Sequence, residues 1–365
     1  MIDSSKHIAL LVSRLDLPGG IERAAVNTAT LFARKGNQVT LIILDETDKS
    51  FYPIDPSIKI IQVPLSFGIT KEGNIITRKM KLLTDVLKLK RILRETKPDI
   101  IISTEYPFTV AAVLTGTQKK ARLFAWEHHH HAWLQKNKFW TTLYTNACKR
   151  LDGIICLNKL EATYYEKFCP VHIIPNFIEN RSGNLSSCNA KQIVSVGWLI
   201  PRKGIDLMLA AAKMVLTKHP DWTWKLIGDG EMKPEVLDFI EKENLQGRFI
   251  LQLPVNELIE SEYLSSSIFV LSSRFEAFPM VLLEAMSYGL PCVSFDCPSG
   301  PSDIICDDID GLLVEKENIE KLSSAISSLI DFEQKRKEMG TQAAKNIQRF
   351  APDTVYQLWK EKVIL

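Results

Sequence analysis

Glu276 and Glu284 flank Pro279 in the stretch Ser-Arg-Phe-Glu-Ala-Phe-Pro-Met-Val-Leu-Leu-Glu-Ala-Met-Ser-Tyr-Gly-Leu-Pro, residues 273–291. Proline suits the first position of a helix, where its missing N–H is not needed and its φ is already set. The spacing therefore predicts a helix opening at Pro279, with Glu276 in the loop before it and Glu284 inside it. Unsatisfied N–H groups and the positive end of the helix macrodipole make such a terminus an anion site. An anion site between two hydroxyl-accepting carboxylates suits a sugar joined to a phosphate. Met280 and Val281 would open that helix, and Phe278 would precede it.

A second group, Gly197-Trp-Leu-Ile-Pro-Arg-Lys-Gly204, follows an apolar run. Arg202 offers bidentate geometry to an oxyanion and Lys203 a point charge. A solvated basic turn would look the same. Its position at the end of an expected strand, in the same half of the chain as the glutamates, favours a diphosphate clamp. Pro18-Gly19-Gly20-Ile21-Glu22 sits where the first strand meets the first helix, and its glycines would let backbone amides approach a ligand. It is not Gly-x-Gly-x-x-Gly, and a plain turn fits equally well.

Trp126-Glu127 leads into four consecutive histidines, 128–131. Neighbouring side chains in extended chain point to opposite sides, so the run does not converge on a metal. His128, nearest the strand end, is the imidazole expected to reach a ligand. Asp307-Asp-Ile-Asp-Gly311 reads as a turn rather than a metal cluster.

The elements that must position these groups recur along the chain. Apolar runs at 8–12, 39–44, 58–63, 100–103, 123–126, 154–157 and 171–174 alternate with amphipathic segments, including helices at 21–35 and 78–96. A second series follows at 193–196, 223–227, 249–253, 268–272, 292–295 and 312–314. Its helices are expected at 204–218, 231–243 and 279–288, then 317–331, 334–348 and 353–363. Strands this apolar, alternating with helices, indicate parallel sheets covered on both faces. The domains expected are 1–176, a polar linker at 177–190, 191–348, and a C-terminal helical segment, 349–365, that packs back on the first domain. Open α/β sheets bind ligands at their carboxyl edges, so the site is expected in a cleft between the two domains.

Composition narrows the class further. A chain of 365 residues exceeds one typical core. It is 45% hydrophobic and 24% charged with a net charge of +2, which gives no argument for nucleic acid. Seven cysteines without a Cys-x-x-Cys pair favour reduced thiols in a cytosol. The first residues are polar, with no signal-peptide apolar region, and no apolar run reaches the roughly 20 residues that span a bilayer. A cytoplasmic protein is expected. Segment 78–97 carries Arg78, Lys79, Lys81, Lys88, Lys90, Arg91, Arg94 and Lys97 against Asp85 and Glu95. Ile76, Met80, Leu83 and Leu87 keep helical spacing and are expected to cover the sheet, leaving a basic face suited to solvent or to anionic lipid headgroups. With so few exposed apolar residues, that helix would rest on a membrane surface rather than insert deeply.

Together these residues resemble the family 4 retaining glycosyltransferases, also grouped as glycosyl transferases group 1. The resemblance rests on Gly19-Gly20-Ile21-Glu22, Trp126-Glu127-His128, Ile174-Pro175-Asn176, Gly197–Gly204, the pair Glu276 and Glu284, and Gly289-Leu290-Pro291. It spans nearly the whole chain, in the right order. It implies the GT-B fold of two Rossmann-like, doubly wound parallel-sheet domains. It also implies a nucleotide-sugar donor, UDP-linked by base rate, and transfer with retention by front-face attack, without a metal. Glu284 would accept from ribose hydroxyls and Glu276 from the transferred sugar. Arg202, Lys203 and the helix terminus would hold the diphosphate. His128 would sit over the sugar and Gly20 near the phosphates. Gly197, Phe278, Pro279, Met280 and Val281 would complete the donor site. The acceptor would be a glycan or a polyprenyl-diphosphate-linked sugar. Trp198 stands where the family usually has arginine, and Ala277 where it usually has glycine; Arg202 would supply the missing charge. Rival readings are a GT-B nucleotide-sugar epimerase, a glycoside hydrolase using the two carboxylates, and an inactive sugar-nucleotide-binding module.

Overall fold

The computed structural model describes residues 5–44, 49–65, 75–129, 131, 138–179, 183–255 and 259–365, with side chains in the first long helix described from Met80 onward. The chain forms two compact units. One comprises Met1–Asn176 with Pro352–Leu365, and the other Phe177–Ala351.

The first unit is built on a parallel seven-stranded sheet, order β3-β2-β1-β4-β5-β6-β7. Its strands are β1 (His7–Val12), β2 (Gln38–Ile43), β3 (Lys59–Gln62), β4 (Ile100–Ser103), β5 (Arg122–Glu127), β6 (Gly153–Cys156) and β7 (Val171–Ile173). β1, β4, β5 and β6 are almost wholly buried. A strand buried on both faces carries no alternation, so these read in sequence as unbroken apolar runs. Helices α1 (Gly20–Arg34), α2 (Ile75–Thr96), α3 (Tyr106–Thr115), α4 (Lys138–Cys148) and α5 (Lys159–Tyr165) supply the cover.

The expected inward face of α2 is corrected. Leu82, Val86, Leu89, Ile92 and Leu93 pack on the core. Met80, Leu83 and Leu87 instead face outward, and Ile76 lies outside the described side chains. Both sets satisfy helical spacing, and the longer run, which continues to Leu93, is the one that meets the sheet.

The C-terminal segment joins this unit. In α13 (Pro352–Trp359), the Trp359 ring meets Phe32 edge-on at 5.3 Å and Trp126 at 5.1 Å. Arg122 donates to the Val363 carbonyl at 2.9 Å, and Lys362 to that of Ile173 at 3.1 Å. Arg349 and Phe350, expected in this segment, belong to the second unit, where Phe350 packs edge-on against Phe278 at 5.4 Å.

The second unit has a parallel six-stranded sheet, order β10-β9-β8-β11-β12-β13. Its strands are β8 (Gln192–Val196), β9 (Thr223–Ile227), β10 (Phe249–Gln252), β11 (Ile268–Leu271), β12 (Cys292–Asp296) and β13 (Gly311–Glu315). Helices α6 (Ile205–Lys218), α7 (Lys233–Lys242), α8 (Ile259–Leu264), α9 (Met280–Ser287), α10 (Pro301–Ile304), α11 (Ile319–Asp331) and α12 (Glu333–Asn346) surround it. In both sheets the chain reverses direction beside the first strand, the doubly wound pattern of a Rossmann-like fold. Two such units are the GT-B architecture.

Residues 177–190, expected as a polar linker, group with the second unit. Phe177, Ile178 and Cys188 are buried. The Ser186 N–H donates to the Tyr288 carbonyl at 2.8 Å, and buried Arg336 holds the Cys188 carbonyl at 3.0 Å. Residues 180–182 of that stretch lie outside the described residues.

Candidate functional site

In the second unit the switch point of strand order lies between β8 and β11, and the turn after each lies beside the other. The turn after β8, residues 201–203, is a short 3-10 helix ended by Gly204 at φ +63°. A Cβ on Gly204 would sit 2.0 Å from the Ser272 carbonyl oxygen, so only glycine lets the two backbones pass. Further bonds lock them. Ser272 Oγ donates to the Lys203 carbonyl at 3.0 Å, and the Arg274 N–H to the Arg202 carbonyl at 2.9 Å. The Arg274 guanidinium reaches the Pro201 carbonyl at 2.8 Å and grips Asp206 with two bonds of 2.7 Å. That grip holds the Asp206 carboxyl below its usual range.

On this frame Lys203 Nζ lies 2.5 Å from Glu276 Oε1, and Ser273 Oγ donates to the same oxygen at 2.6 Å. Glu276 is only 7% exposed. The loop carrying it is braced from behind: Ser299 Oγ donates to the Glu276 carbonyl at 2.5 Å. Gly300, at φ +93°, lies so close that a Cβ there would meet Pro279 Cδ at 2.8 Å.

Pro279 caps α9 rather than opening it, and the helix begins at Met280. Proline has no side-chain acceptor, so the first turn of α9 receives no side-chain cap. Glu284, one turn further in, is buried and receives the Tyr263 hydroxyl at 2.9 Å. Phe278 and Met280 are themselves buried, Phe278 against Phe350, so they shape the loop from below; Val281 is partly exposed.

In the first unit, Gly19 and Gly20 play different parts. Gly19 caps α1, and Glu22 folds back so far that a Cβ on Gly19 would meet Glu22 Oε2 at 2.0 Å. Among the described residues no atom lies within 4 Å of a Cβ placed on Gly20 or on Gly197. Packing does not require either to be glycine.

His128 follows β5, its ring 4.3 Å from that of Trp126. Burial, reinforced by neighbouring His129, lowers its pKa to about 3, so the imidazole is neutral. Its Nε2 is buried with no hydrogen-bond partner among the described residues. Glu127 beside it turns inward to the hydroxyls of Tyr144 and Tyr165. His131 stacks on Tyr164 at 3.8 Å and binds Glu161 at 3.2 Å, while His130 lies outside the described residues. His128 and His131 thus sit in different surroundings, one against Trp126 and the other against Tyr164 and Glu161. In the 307–311 turn, Asp307 and Asp310 accept from backbone N–H groups at 2.9 and 2.7 Å, and Asp308 pairs with Lys335 at 2.6 Å.

Sequence reasoning missed several contributors. Gly228 and Gly230, after β9, admit the backbone of 197–199: a Cβ on Gly228 would lie 2.0 Å from the Gly197 carbonyl oxygen. Their Gly-Asp-Gly spacing after a strand was a usable signal. Glu105, which shares the switch point between β1 and β4 with the Glu22 already noted, has a raised pKa, chiefly from burial, as Glu22 does. No motif marked Glu105.

The pair of parallel-sheet Rossmann-like units puts the chain in the GT-B class, with clustered cations and buried glutamates at the switch point of the second unit. The profile of Glycosyltransferase Family 4 matches residues 18–181, and that of Glycosyl transferases group 1 matches 176–346. The chain belongs to this glycosyltransferase family. It is 26% identical to the amylovoran biosynthesis glycosyltransferase of Erwinia amylovora, covering 97% of this chain and 98% of that protein. It is 24% identical to a Campylobacter jejuni transferase that adds α-1,4-N-acetylgalactosamine to an undecaprenyl-diphosphate-linked glycan, covering 96% of each. Among solved structures, a glycine-to-arginine point mutant of Staphylococcus aureus TarM in complex with UDP, fondaparinux and α-GlcNAc-glycerol superposes with a TM-score of 0.81 at 16% identity, over 98% of this chain and 99% of that one.

Proposed function

We propose that the protein is a retaining glycosyltransferase that moves a hexose or N-acetylhexosamine from a UDP-linked donor to a glycan or polyprenyl-diphosphate-linked acceptor, in surface polysaccharide or glycolipid synthesis. The observation that carries this reading is the Lys203–Glu276 pair, at 2.5 Å, beside Arg202 and the start of α9. The amylovoran and undecaprenyl-linked activities of the two relatives support the product class and the lipid-linked acceptor. UDP beside the structural neighbour supports the nucleotide.

Each group has a role that its surroundings favour. Glu276, fixed by Lys203 and Ser273, accepts hydrogen bonds from hydroxyls of the transferred sugar. Glu284, oriented by Tyr263, accepts from the ribose. Arg202, Lys203 and the first N–H groups of α9 stabilise the diphosphate as negative charge grows on it, which is electrostatic stabilisation aimed at the transition state. The sugar–phosphate bond breaks as the acceptor hydroxyl approaches from the same face. The acceptor oxygen bonds to the anomeric carbon on the face the phosphate leaves, so configuration is retained, and the departing phosphate oxygen takes the hydroxyl proton. The neutral His128 offers Nε2 to a substrate hydroxyl, and Gly20 admits substrate close to the backbone. Clustered cations do the work a metal does elsewhere, so no metal is needed. The lipid-linked acceptor places the enzyme at the cytoplasmic face of an anionic membrane.

Thermal shift with a panel of UDP- and GDP-sugars, followed by product analysis with a lipid-linked acceptor and EDTA present, tests the reading. A UDP-sugar that raises the melting temperature, and transfer of its sugar with retention, is expected. Strict metal dependence, inverted product, or isomerised donor without acceptor would overturn it.

A further inference from the structure

Helix α2 carries a second apolar stripe that the core does not use. Met80, Leu83 and Leu87 are 64%, 61% and 56% exposed, although Leu82, Val86, Leu89 and Leu93 bury the opposite side of the same helix. At 100° per residue these three fall within about 60° of one another, and Arg91 and Arg94 continue the same line toward the helix end. Lys81 and Lys88 border one side, both exposed, and Lys90 the other. The described acidic residues of the helix do not offset them: Asp85 is buried, and Glu95 is paired with Arg91 at 2.8 Å. Scattered surface leucines are normal, but three large apolar side chains on successive turns, fringed by unopposed cations, are not.

α2 lies beside α3, and α3 beside α4, in one layer on the sheet. Helices that connect parallel strands begin at the sheet's carboxyl edge. Met80 and Leu83 therefore stand near that edge. Phe139, exposed in the first turn of α4, stands at the same edge. An apolar ridge with a basic border suits the interface of an anionic bilayer: side chains enter the acyl boundary while ammonium and guanidinium groups stay among headgroup phosphates. A neutral protein groove would leave the cations unmatched, and a second copy of this helix would set them against each other.

We infer that the outer face of α2 is an interfacial membrane anchor, with Met80, Leu83 and Leu87 inserted and Lys81, Lys88, Lys90 and Arg94 held on anionic lipid headgroups. This rests on the lipid-linked acceptor proposed above and replaces the expected resting contact with shallow insertion. The anchor would hold the carboxyl edge of the first sheet at the depth where a polyprenyl-linked sugar presents itself.

Flotation of the full chain with phosphatidylcholine vesicles, with and without phosphatidylglycerol, tests the anchor apart from the activity. Binding is expected only to the anionic vesicles. The triple variant Met80→Ser, Leu83→Ser, Leu87→Ser should lose on the order of 100-fold in partitioning. Lys81→Gln, Lys88→Gln, Arg94→Gln should lose a similar factor, at roughly fivefold per cation. Both should keep the wild-type circular dichroism spectrum and transfer to a short water-soluble acceptor at the wild-type rate, while transfer to the lipid-linked acceptor in vesicles falls. Wild-type protein that stays unbound at low salt, or serine variants that float equally well, would overturn the anchor. So would a concentration-dependent dimer that the serine variants abolish. Loss of transfer to both acceptors in the wild type would instead sink the transferase reading and leave the flotation result standing.

Discussion

The neutral His128 makes a prediction that can be worked through in numbers. An imidazole free in the unfolded chain titrates at 6.5, whereas burial against Trp126 lowers the folded value to about 3. A folded-state value depressed below the unfolded one means that the unfolded chain takes up the proton first. The stability at stake is therefore fully present above 6.5 and is lost as the pH falls from there toward about 3. Near pH 5, about 1.5 pH units below the free value, the loss at about 1.36 kcal/mol per unit is about 2 kcal/mol. The ceiling, reached below pH 3, is about 5 kcal/mol.

Other groups titrate in the same window. Burial also lowers the pKa of His7 and His172, so wild type alone does not isolate the effect. The measurement is a difference: urea unfolding of wild type and of His128→Gln at neutral pH and near pH 5. Glutamine keeps a neutral polar side chain without the proton site. Wild type should lose about 2 kcal/mol more than the variant on acidification. A labelled-histidine NMR titration should show one imidazole that stays neutral throughout that range. Parallel losses in the two proteins, or a His128 resonance that titrates near 6.5, would refute a buried, neutral His128. The catalytic corollary is that His128 contributes no acidic limb to kcat/KM between pH 5 and 7, because its protonation state does not change there.

Glu276→Ala should nearly abolish transfer, since hydroxyls left without a partner cost about 1–3 kcal/mol in binding alone; near-normal kcat/KM in that variant would remove Glu276 from the site. Gly204→Ala combines a left-handed φ with a Cβ 2.0 Å from a backbone oxygen. It should lower the melting temperature of the second unit by roughly 5–10 °C and weaken the donor-induced thermal shift; an unchanged melt would show that the two turns are not locked together. Trp359→Ala empties a fully buried site facing Phe32 and Trp126. It should cost the first unit about 3–5 kcal/mol by denaturant unfolding, and a loss under 1 kcal/mol would show that the C-terminal helix is dispensable.

Much of the fold was legible because parallel strands are buried on both faces and their helices on one, so the two write different patterns. Where reading failed, competing patterns satisfied the same rule. In α2 the stripe of Met80, Leu83 and Leu87 keeps helical spacing as well as that of Leu82, Val86, Leu89 and Leu93 does, and periodicity cannot say which one meets a sheet. Between 177 and 190 the polar majority concealed three anchors, Phe177, Ile178 and Cys188, because composition averages over a segment while burial is decided residue by residue.

The candidate site shows the same division between residue types and pairings. Glutamates, cations and glycines could be picked out one at a time, but Lys203 and Glu276 are 73 residues apart and nothing in the sequence couples them. The coupling changes what each residue can be. A lysine 2.5 Å from a buried carboxylate compensates the charge of Glu276 and fixes where its oxygens point, beyond the phosphate-clamp role proposed for it. Ser273, on the same oxygen, holds that orientation from the other side. On the proposed function, removing Lys203 should therefore harm sugar recognition as well as phosphate binding, because it leaves the buried Glu276 carboxylate without its charge partner and without the bond that orients it. Under the proposed function the two halves of the donor, sugar and diphosphate, would be read by one coupled pair, and a pairing is what a residue-by-residue reading does not disclose.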